Sequence, residues 1–343
     1  MSAPSPADPG LRSRPSRPLA ELRRLALAAV VATFALIVVG GVVRVSDSGL
    51  GCGPAGSGFH GWPFCNGDLV PGLGLHSVIE YTHRALAGTV GIMIVALAVL
   101  ALRNHRTERG LVRATMAATL LVAAQAVLGG ATVEENLEEA LVAAHLGLAM
   151  LLLALLIYVL RATRPSPEPP SAPAGVPRWL AVSASVAVLC TIVAGGYMAG
   201  TQNYGRADYQ LGDGAHHACG KQFPACNDGF MPFGQARLVD IHLAHRAFMY
   251  LASILLIALV AVALRRSSAP GVKRWAKLVL GVLAVQVLVG ALNVWLDEYE
   301  ALIVAHLTLG TLLWACAVSL TLQLYPLPEP AAERAPRARA VPA

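Results

Sequence analysis

Charge is what this sequence has least of. Asp, Glu, Lys and Arg make up 13% of its 343 residues, against about 25% in soluble proteins, and 56% of the residues are hydrophobic. Several apolar runs approach or exceed the ~20 residues needed to cross a bilayer, so a soluble enzyme is excluded. Cysteine is also sparse. Of six, Cys52 and Cys65 share one loop, Cys219 and Cys226 share another, and Cys190 and Cys316 lie inside apolar runs as small apolar residues. No Cys or carboxylate cluster completes a zinc or copper site within those runs. The Pro-, Ser- and Arg-rich N-terminus lacks a cleavage site, and the apolar run behind it is long enough to remain a span.

What is present is an all-α polytopic membrane protein of eight transmembrane helices. The runs predict spans at Leu25–Val43, Ile79–Leu102, Leu111–Ala131, Ala140–Leu160, Trp179–Ala199, Leu238–Leu264, Leu278–Leu296 and Ala301–Leu324. Lys and Arg set the orientation. Arg12, Arg23, Arg103, Arg113, Arg164, Arg178, Arg265, Lys277 and Arg337 typify a basic set on one side, which holds 20 of the 26 Lys and Arg residues. The opposite loops carry Glu134, Glu135, Glu138, Glu139, Asp297, Glu298 and Glu300. Both termini are therefore expected in the cytoplasm, and the net charge of +6 reflects topology rather than a nucleic-acid surface.

The chain repeats. Pro-rich Arg164–Pro173 separates two sets of four spans. His83-Arg-Ala recurs as His245-Arg-Ala, Gln125-xxx-Gly129 as Gln286-xxx-Gly290, and Ala144-His145-Leu146 as Ala305-His306-Leu307, all at nearly one offset. Gly40-Gly41 has its match in Gly195-Gly196. An even number of spans per unit keeps orientation, so two parallel-repeat four-helix bundles are expected. The expected organisation is a disordered cytoplasmic tail (1–24), an N-terminal half (25–163), a cytoplasmic linker (164–178), a C-terminal half (179–325) and a second cytoplasmic tail (326–343).

Ionisable residues inside apolar spans mark function unless something satisfies them. His83 lies ~5 residues inside its span and His145 ~6, roughly 8–9 Å down at 1.5 Å per residue; His245 and His306 lie at similar depth. Each half thus offers two imidazoles at one level from non-adjacent helices. This suits the two axial positions of a heme iron. The bland alternative, a His bonded to a backbone carbonyl, would have to recur four times in register.

The halves differ at one place. Glu80 precedes His83 by three residues, one turn nearer the outside on the same helical face, and its counterpart is His242. A carboxylate there can accept a proton or stabilise developing positive charge; alternatively it is solvated, or pairs with Arg84 at i, i+4. Arg84 and Arg246 are candidate partners of heme propionates, or snorkel to the interface. His76 and His242 fall near the interface. Gln125 and Gln286 are candidates for hydrogen bonds across the bundle or to a heme edge. Cys52–Cys65 and Cys219–Cys226 are expected as intraloop disulfides in an oxidising compartment, with redox-active dithiols the alternative.

These residues resemble the heme A synthase family, which converts heme O to heme A for cytochrome oxidases. The resemblance covers Leu25 to Leu324. It rests on Glu80-Tyr-Thr-His83-Arg84, Gly-Leu-Gly-Cys52, Trp62-Pro-Phe-Cys65-Asn-Gly67, Gln125-xxx-Gly129, Ala-His145-Leu, His245-Arg-Ala and Ala-His306-Leu. The stretch Ala55-Gly-Ser-Gly-Phe-His-Gly61 departs from the family by lengthening the segment between Cys52 and Cys65. The resemblance implies that His245 and His306 ligate a resident heme b, that His83 and His145 take the substrate heme O, and that Glu80 is the catalytic carboxylate. It implies as partners the heme O synthase (a protoheme farnesyltransferase), oxidase assembly factors and membrane lipid, without nucleic acid, and it leaves room for a homo-oligomer. A non-catalytic diheme carrier would have no carboxylate in one half alone. A transporter would need broken helices or midplane charges, and neither is evident.

Overall fold

The computed structural model describes residues 17–163, 175–201, 214–296 and 299–325. Eight long helices carry the chain: α1 (Arg17–Val45), α2 (Leu75–Asn104), α3 (Arg109–Glu134), α4 (Glu139–Ala162), α5 (Arg178–Gly200), α6 (Arg237–Arg266), α7 (Pro270–Trp295) and α8 (Glu300–Gln323). Each is long and apolar enough to cross a membrane. Short 3-10 turns at Gly58–His60 and Ala215–Cys219 interrupt the loops after α1 and α5, and among the described residues there is no strand beyond isolated bridges. All eight expected spans are present.

The ends of the helices differ from expectation where polar residues extend them. α1 starts at Arg17, inside the stretch assigned to the tail, and α7 starts at Pro270, two turns before its expected start. Pro suits that first turn because its missing N–H would have no partner there. The α4 start carries its own cap, Glu138 accepting from the Leu141 N–H at 2.9 Å. α2 begins a full turn before its expected start, so His83 stands deeper in its helix than the sequence implied. It then matches His245 in distance from the helix start. Residues 1–16, most of the linker (164–174), Asp297, Glu298 and the tail after 325 lie outside the described residues.

Inside a bilayer the apolar stripe of a helix gains little by meeting another, and close packing and hydrogen bonds decide which faces touch. Two buried cores result. Leu22, Ile94, Leu97, Leu152 and Leu156 join α1 to α4. Leu256, Leu259, Trp314 and Leu320 centre the other core on α5 to α8, and Ile37 of α1 and Met150 and Leu153 of α4 enter it. The Trp314 indole N–H donates to the Met150 carbonyl at 2.8 Å, buried from solvent, so α8 is pinned to α4. Hydroxyls within the helices return their protons to the preceding turn, as Thr311 does to Leu307 at 2.8 Å and Thr191 to Ala187 at 2.8 Å.

Small residues bring the two groups of helices together. A methyl group on Gly196 of α5 would stand 3.0 Å from a Leu146 methyl of α4, and one on Gly200 would stand 2.5 Å from the Glu139 Cα. Gly41 of α1 likewise receives the tip of Leu307 from α8. Polar contacts close the same end of the molecule. Arg44 donates to the Ala199 carbonyl at 2.7 Å, at the C-terminus of α5 where carbonyls lack helical partners, and Arg237 pairs with Glu139.

Candidate functional site

Four imidazoles point into the bundle, and each lies on a glycine. His83 of α2 rests on Gly40 of α1, His145 of α4 on Gly129 of α3, His245 of α6 on Gly195 of α5, and His306 of α8 on Gly290 of α7. A Cβ at those glycines would stand 3.1, 3.1, 3.0 and 2.8 Å from the imidazole Cε1. The glycines lack side chains because the rings occupy that volume. Each Gly-Gly pair serves twice. Gly40 and Gly195 seat an imidazole, while Gly41 and Gly196 seat Leu307 and Leu146, the residues that follow His306 and His145. The recurrence of these glycines was visible in the sequence; their contact with the histidines was not.

Gly290→Ala should therefore disturb His306 first. Its added carbon falls inside contact distance of a ring with little room to move, and such overpacking costs about 1–3 kcal/mol. We expect a lower melting temperature in detergent. Gly281→Ala on the same helix meets nothing within 4 Å and serves as the control.

His245 and His306 face one another with ring centroids 6.4 Å apart and planes at 70°. Two collinear metal–imidazole bonds of about 2.0–2.1 Å, with about 1.2 Å from each nitrogen to its ring centroid, require roughly 6.5 Å. The pair thus fits a six-coordinate iron set between the rings. His245 Nδ1 lies 2.9 Å from the Thr191 carbonyl, which orients the ring and leaves Nε2 for a metal. The Gln286 side chain reaches 3.4 Å from His306 Nε2, and Gln125 donates to the backbone carbonyl of His145 at 2.8 Å. A cavity surrounds the C-terminal pair. Val188, Ile192, Leu283 and Leu313 make its inner part apolar, and His216, His242, Arg246 and Asn293 line it nearer the loops.

In the N-terminal half the matching pair is His83 and His145. Their Nδ1 atoms, like that of His306, are buried and have no hydrogen-bond partner within the protein. Among the described residues no group of three or more His, Cys, Asp or Glu side chains converges on a single-ion site.

Glu80 is buried, with 3% of its surface exposed, so it is not solvated. One carboxylate oxygen accepts from the Cys52 N–H at 2.8 Å, and the other pairs with Arg84. The Arg84 guanidinium also donates to the Gly61 and Phe64 carbonyls at 2.6 and 2.8 Å. Arg246 does the same in the second half, donating to Ala225 at 2.8 Å and Gln222 at 2.9 Å, with its charge 5.4 Å from the centre of the Phe223 ring. Neither arginine snorkels. Both clamp a loop onto the helix that carries an imidazole.

Those loops are closed by the expected disulfides, Cys52–Cys65 and Cys219–Cys226. They too repeat, with Trp62-Pro-Phe-Cys65-Asn66 matched by Phe223-Pro-Ala-Cys226-Asn227 at the offset the histidines share. Both contain a cis X-Pro bond. Both lay an aromatic on the second long helix that follows, Trp62 against Gly130 of α3 and Phe223 edge-on to Trp295 of α7 at 6.3 Å. Sequence reasoning missed this repeat of the loops, although the shared Pro-x-Cys-Asn was there to find.

His76 bonds Ser48 at 3.1 Å, beside Asp47, whose carboxyl is raised above the usual range by burial. His242 is buried and its Nδ1 lies 2.7 Å from the Ala215 carbonyl. Free Cys190 and Cys316 lie within α5 and α8, as expected.

Comparison with known proteins places these features in a family. The profile of COX15-CtaA, described as cytochrome oxidase assembly protein, matches residues 74–318. The chain is 28% identical over 254 residues to the heme A synthase of Halalkalibacterium halodurans, covering 72% of this chain and 78% of that protein. It is 33% identical over 145 residues to the heme A synthase of Bacillus licheniformis and 30% over 141 residues to that of Alkalihalophilus pseudofirmus, in each case over 40% of this chain. Those two matches span 45% and 46% of the relatives, less than half their length.

Proposed function

The chain belongs to the heme A synthase family of cytochrome oxidase assembly proteins, and from that premise we propose that it oxidises a methyl group of heme O to a formyl group. Written with water as oxygen donor, the methyl-to-formyl conversion through the alcohol releases four electrons and four protons, which an electron acceptor outside this chain would take up. His83 and His145 hold the heme O, and Glu80 is the group that serves the reacting carbon. The N-terminal half (25–163) is the substrate unit and the C-terminal half (179–325) its repeat-related cofactor unit. Both termini face the cytoplasm, and the disulfide loops cover the His sites from the other side of the membrane.

His245 and His306 hold a b-type heme, which supplies one-electron redox chemistry when bound. The 6.4 Å between their rings is the observation that carries this assignment. Were both imidazoles of each pair to hold iron, no open iron position would remain, and the chemistry would fall at the ring periphery. There Glu80 takes up a proton, or stabilises positive charge developing on the substrate carbon. Arg84 and the Cys52 N–H hold its carboxylate in place through both stages. Arg84 and Arg246 position the loops rather than serving first as propionate partners. The heme O synthase and oxidase assembly factors are the expected partners.

The test is co-expression with a source of heme O, followed by mass analysis of the extracted hemes. Heme A should accumulate; its absence from folded, heme-loaded protein would overturn the assignment.

A further inference from the structure

The C-terminal cavity changes character along its length. One face of α6 supplies His242, His245, Arg246, Met249, Ala252 and Ser253, a rise of about 16 Å at 1.5 Å per residue. From His245 inward its walls are almost wholly apolar. Toward the loops two further imidazoles face the space, His242 on α6 and His216 on the short helix that ends at Cys219. His216 Nδ1 is buried and without a partner in the protein. Burial in this cavity, with His242, His245, His217 and Arg44 around it, holds the His216 imidazole well below its usual pKa range, so it stands neutral. His242 is fixed through Nδ1 by the Ala215 carbonyl, one residue from His216. The Cys219–Cys226 disulfide pins that segment from the other side.

A buried polar atom without a partner costs about 1–3 kcal/mol, so its retention beside a cavity points to a ligand that satisfies it. Arg246 is the cation one would first expect to meet an anionic ligand here. Its two terminal nitrogens are already engaged by the loop carbonyls of Pro224, Ala225 and Gln222. The other half has no such arrangement. The counterpart of His242 is Glu80, a carboxylate that would repel an anion, and the residue three before the first loop cysteine, where the second loop has His216, is Gly49.

We propose that His216 and His242 form a carboxylate-binding edge, in which His216 donates its free Nδ1–H to a propionate of the tetrapyrrole held by His245 and His306, while His242, whose Nδ1–H goes to the Ala215 carbonyl, packs beside it. This rests on the assignment of that pair as heme ligands and goes beyond it by fixing which way the macrocycle enters. The carboxylate edge faces the disulfide loop, and the vinyl- and methyl-bearing edge goes down into the apolar end. The two imidazoles are positioning residues. They act on the ring substituents, and the iron is left to His245 and His306.

Esterified heme separates the two assignments. In a His83→Ala/His145→Ala background, so that only the C-terminal pair reports, detergent-solubilised protein is titrated with iron protoporphyrin IX and with its dimethyl ester. The ester keeps the iron and the ring but loses both carboxylates. Hydrogen bonds to charged groups are worth about 1.5–3 kcal/mol, so the free acid should bind about tenfold or more tightly than the ester. In His216→Phe/His242→Phe the ratio should fall toward one, while the low-spin spectrum at saturation persists. In His216→Gln/His242→Gln, which keeps neutral donors, much of the preference should return. An acid-to-ester ratio that is near one in the parent protein, or undiminished in the Phe pair, overturns the proposal. If the Phe pair does not fold, the same titration of His216→Leu/His242→Leu decides: a ratio near one supports the proposal, and an undiminished ratio overturns it. The heme-ligand assignment fails separately, if His245→Ala leaves the low-spin spectrum unchanged.

Discussion

Glu80→Gln should leave a folded, heme-loaded protein that makes almost no heme A. The substitution keeps shape and one oxygen. The Gln oxygen can still accept from the Cys52 N–H, now 2.8 Å from the carboxylate, so the disulfide loop keeps its anchor. What disappears is the negative charge. A positioned acid–base group typically contributes 10²–10⁴-fold, and an electrostatic stabiliser a similar amount, so heme A formation should drop by about two orders of magnitude or more. The heme b spectrum should be unchanged, since His245 and His306 belong to the other half. Arg84 makes the experiment discriminating. Glu80 also neutralises a guanidinium that braces two loop carbonyls. If the carboxylate served only that brace, Glu80→Gln and Arg84→Gln would lower melting temperature and heme content together, with activity following in proportion. Full heme A production by Glu80→Gln would remove Glu80 from the mechanism.

His306→Ala should abolish the low-spin heme b spectrum. The ring stands 6.4 Å from that of His245, the spacing that two imidazole ligands on one iron would need. Gln286 reaches its Nε2, yet a carboxamide is a poor ligand for heme iron. We expect a high-spin spectrum or loss of bound heme, and heme A formation should fall with it. Added imidazole, which fits the space vacated above Gly290, should restore low-spin character. A His306→Ala protein that keeps its low-spin spectrum without added imidazole would show that the sixth ligand lies elsewhere. The same change at His145 should leave the heme b spectrum intact and weaken heme O capture instead.

Much of this architecture was legible before any coordinates. Apolar runs of membrane length have few alternatives to helix, because an unpaired backbone amide in hydrocarbon costs several kcal/mol. Eight helices therefore followed from composition and run length alone. The four histidines stood out because ionisable residues in such runs need a reason, and the offset shared by the two halves tied them into pairs. The carboxylate asymmetry, Glu80 against His242, was also a matter of alignment within the chain.

Other features depended on contacts between residues far apart in sequence. The arginines were expected at propionates or at the lipid interface, and their bonds to loop carbonyls could not be read from the sequence. A guanidinium takes whatever acceptors lie within reach of its fork, and here the loops closed by Cys52–Cys65 and Cys219–Cys226 deliver carbonyls there first. His216 could not be connected to the cavity from sequence, because the stretch between it and His242 carries no periodic signal that would fold one over the other. The glycine under each imidazole was countable in the sequence, but its purpose appeared only when the neighbouring helix filled the missing side chain's space.

The sequence by itself determined the class of protein, the number of spans and the identity of the four imidazoles, since hydrophobic run length and intramembrane charge are local properties of the chain. The tertiary structure alone decided where each ring rests, which groups hold Glu80 and the arginines, and which imidazoles edge the cavity. Those depend on packing distances of a few ångströms between helices, and no one-dimensional pattern encodes them.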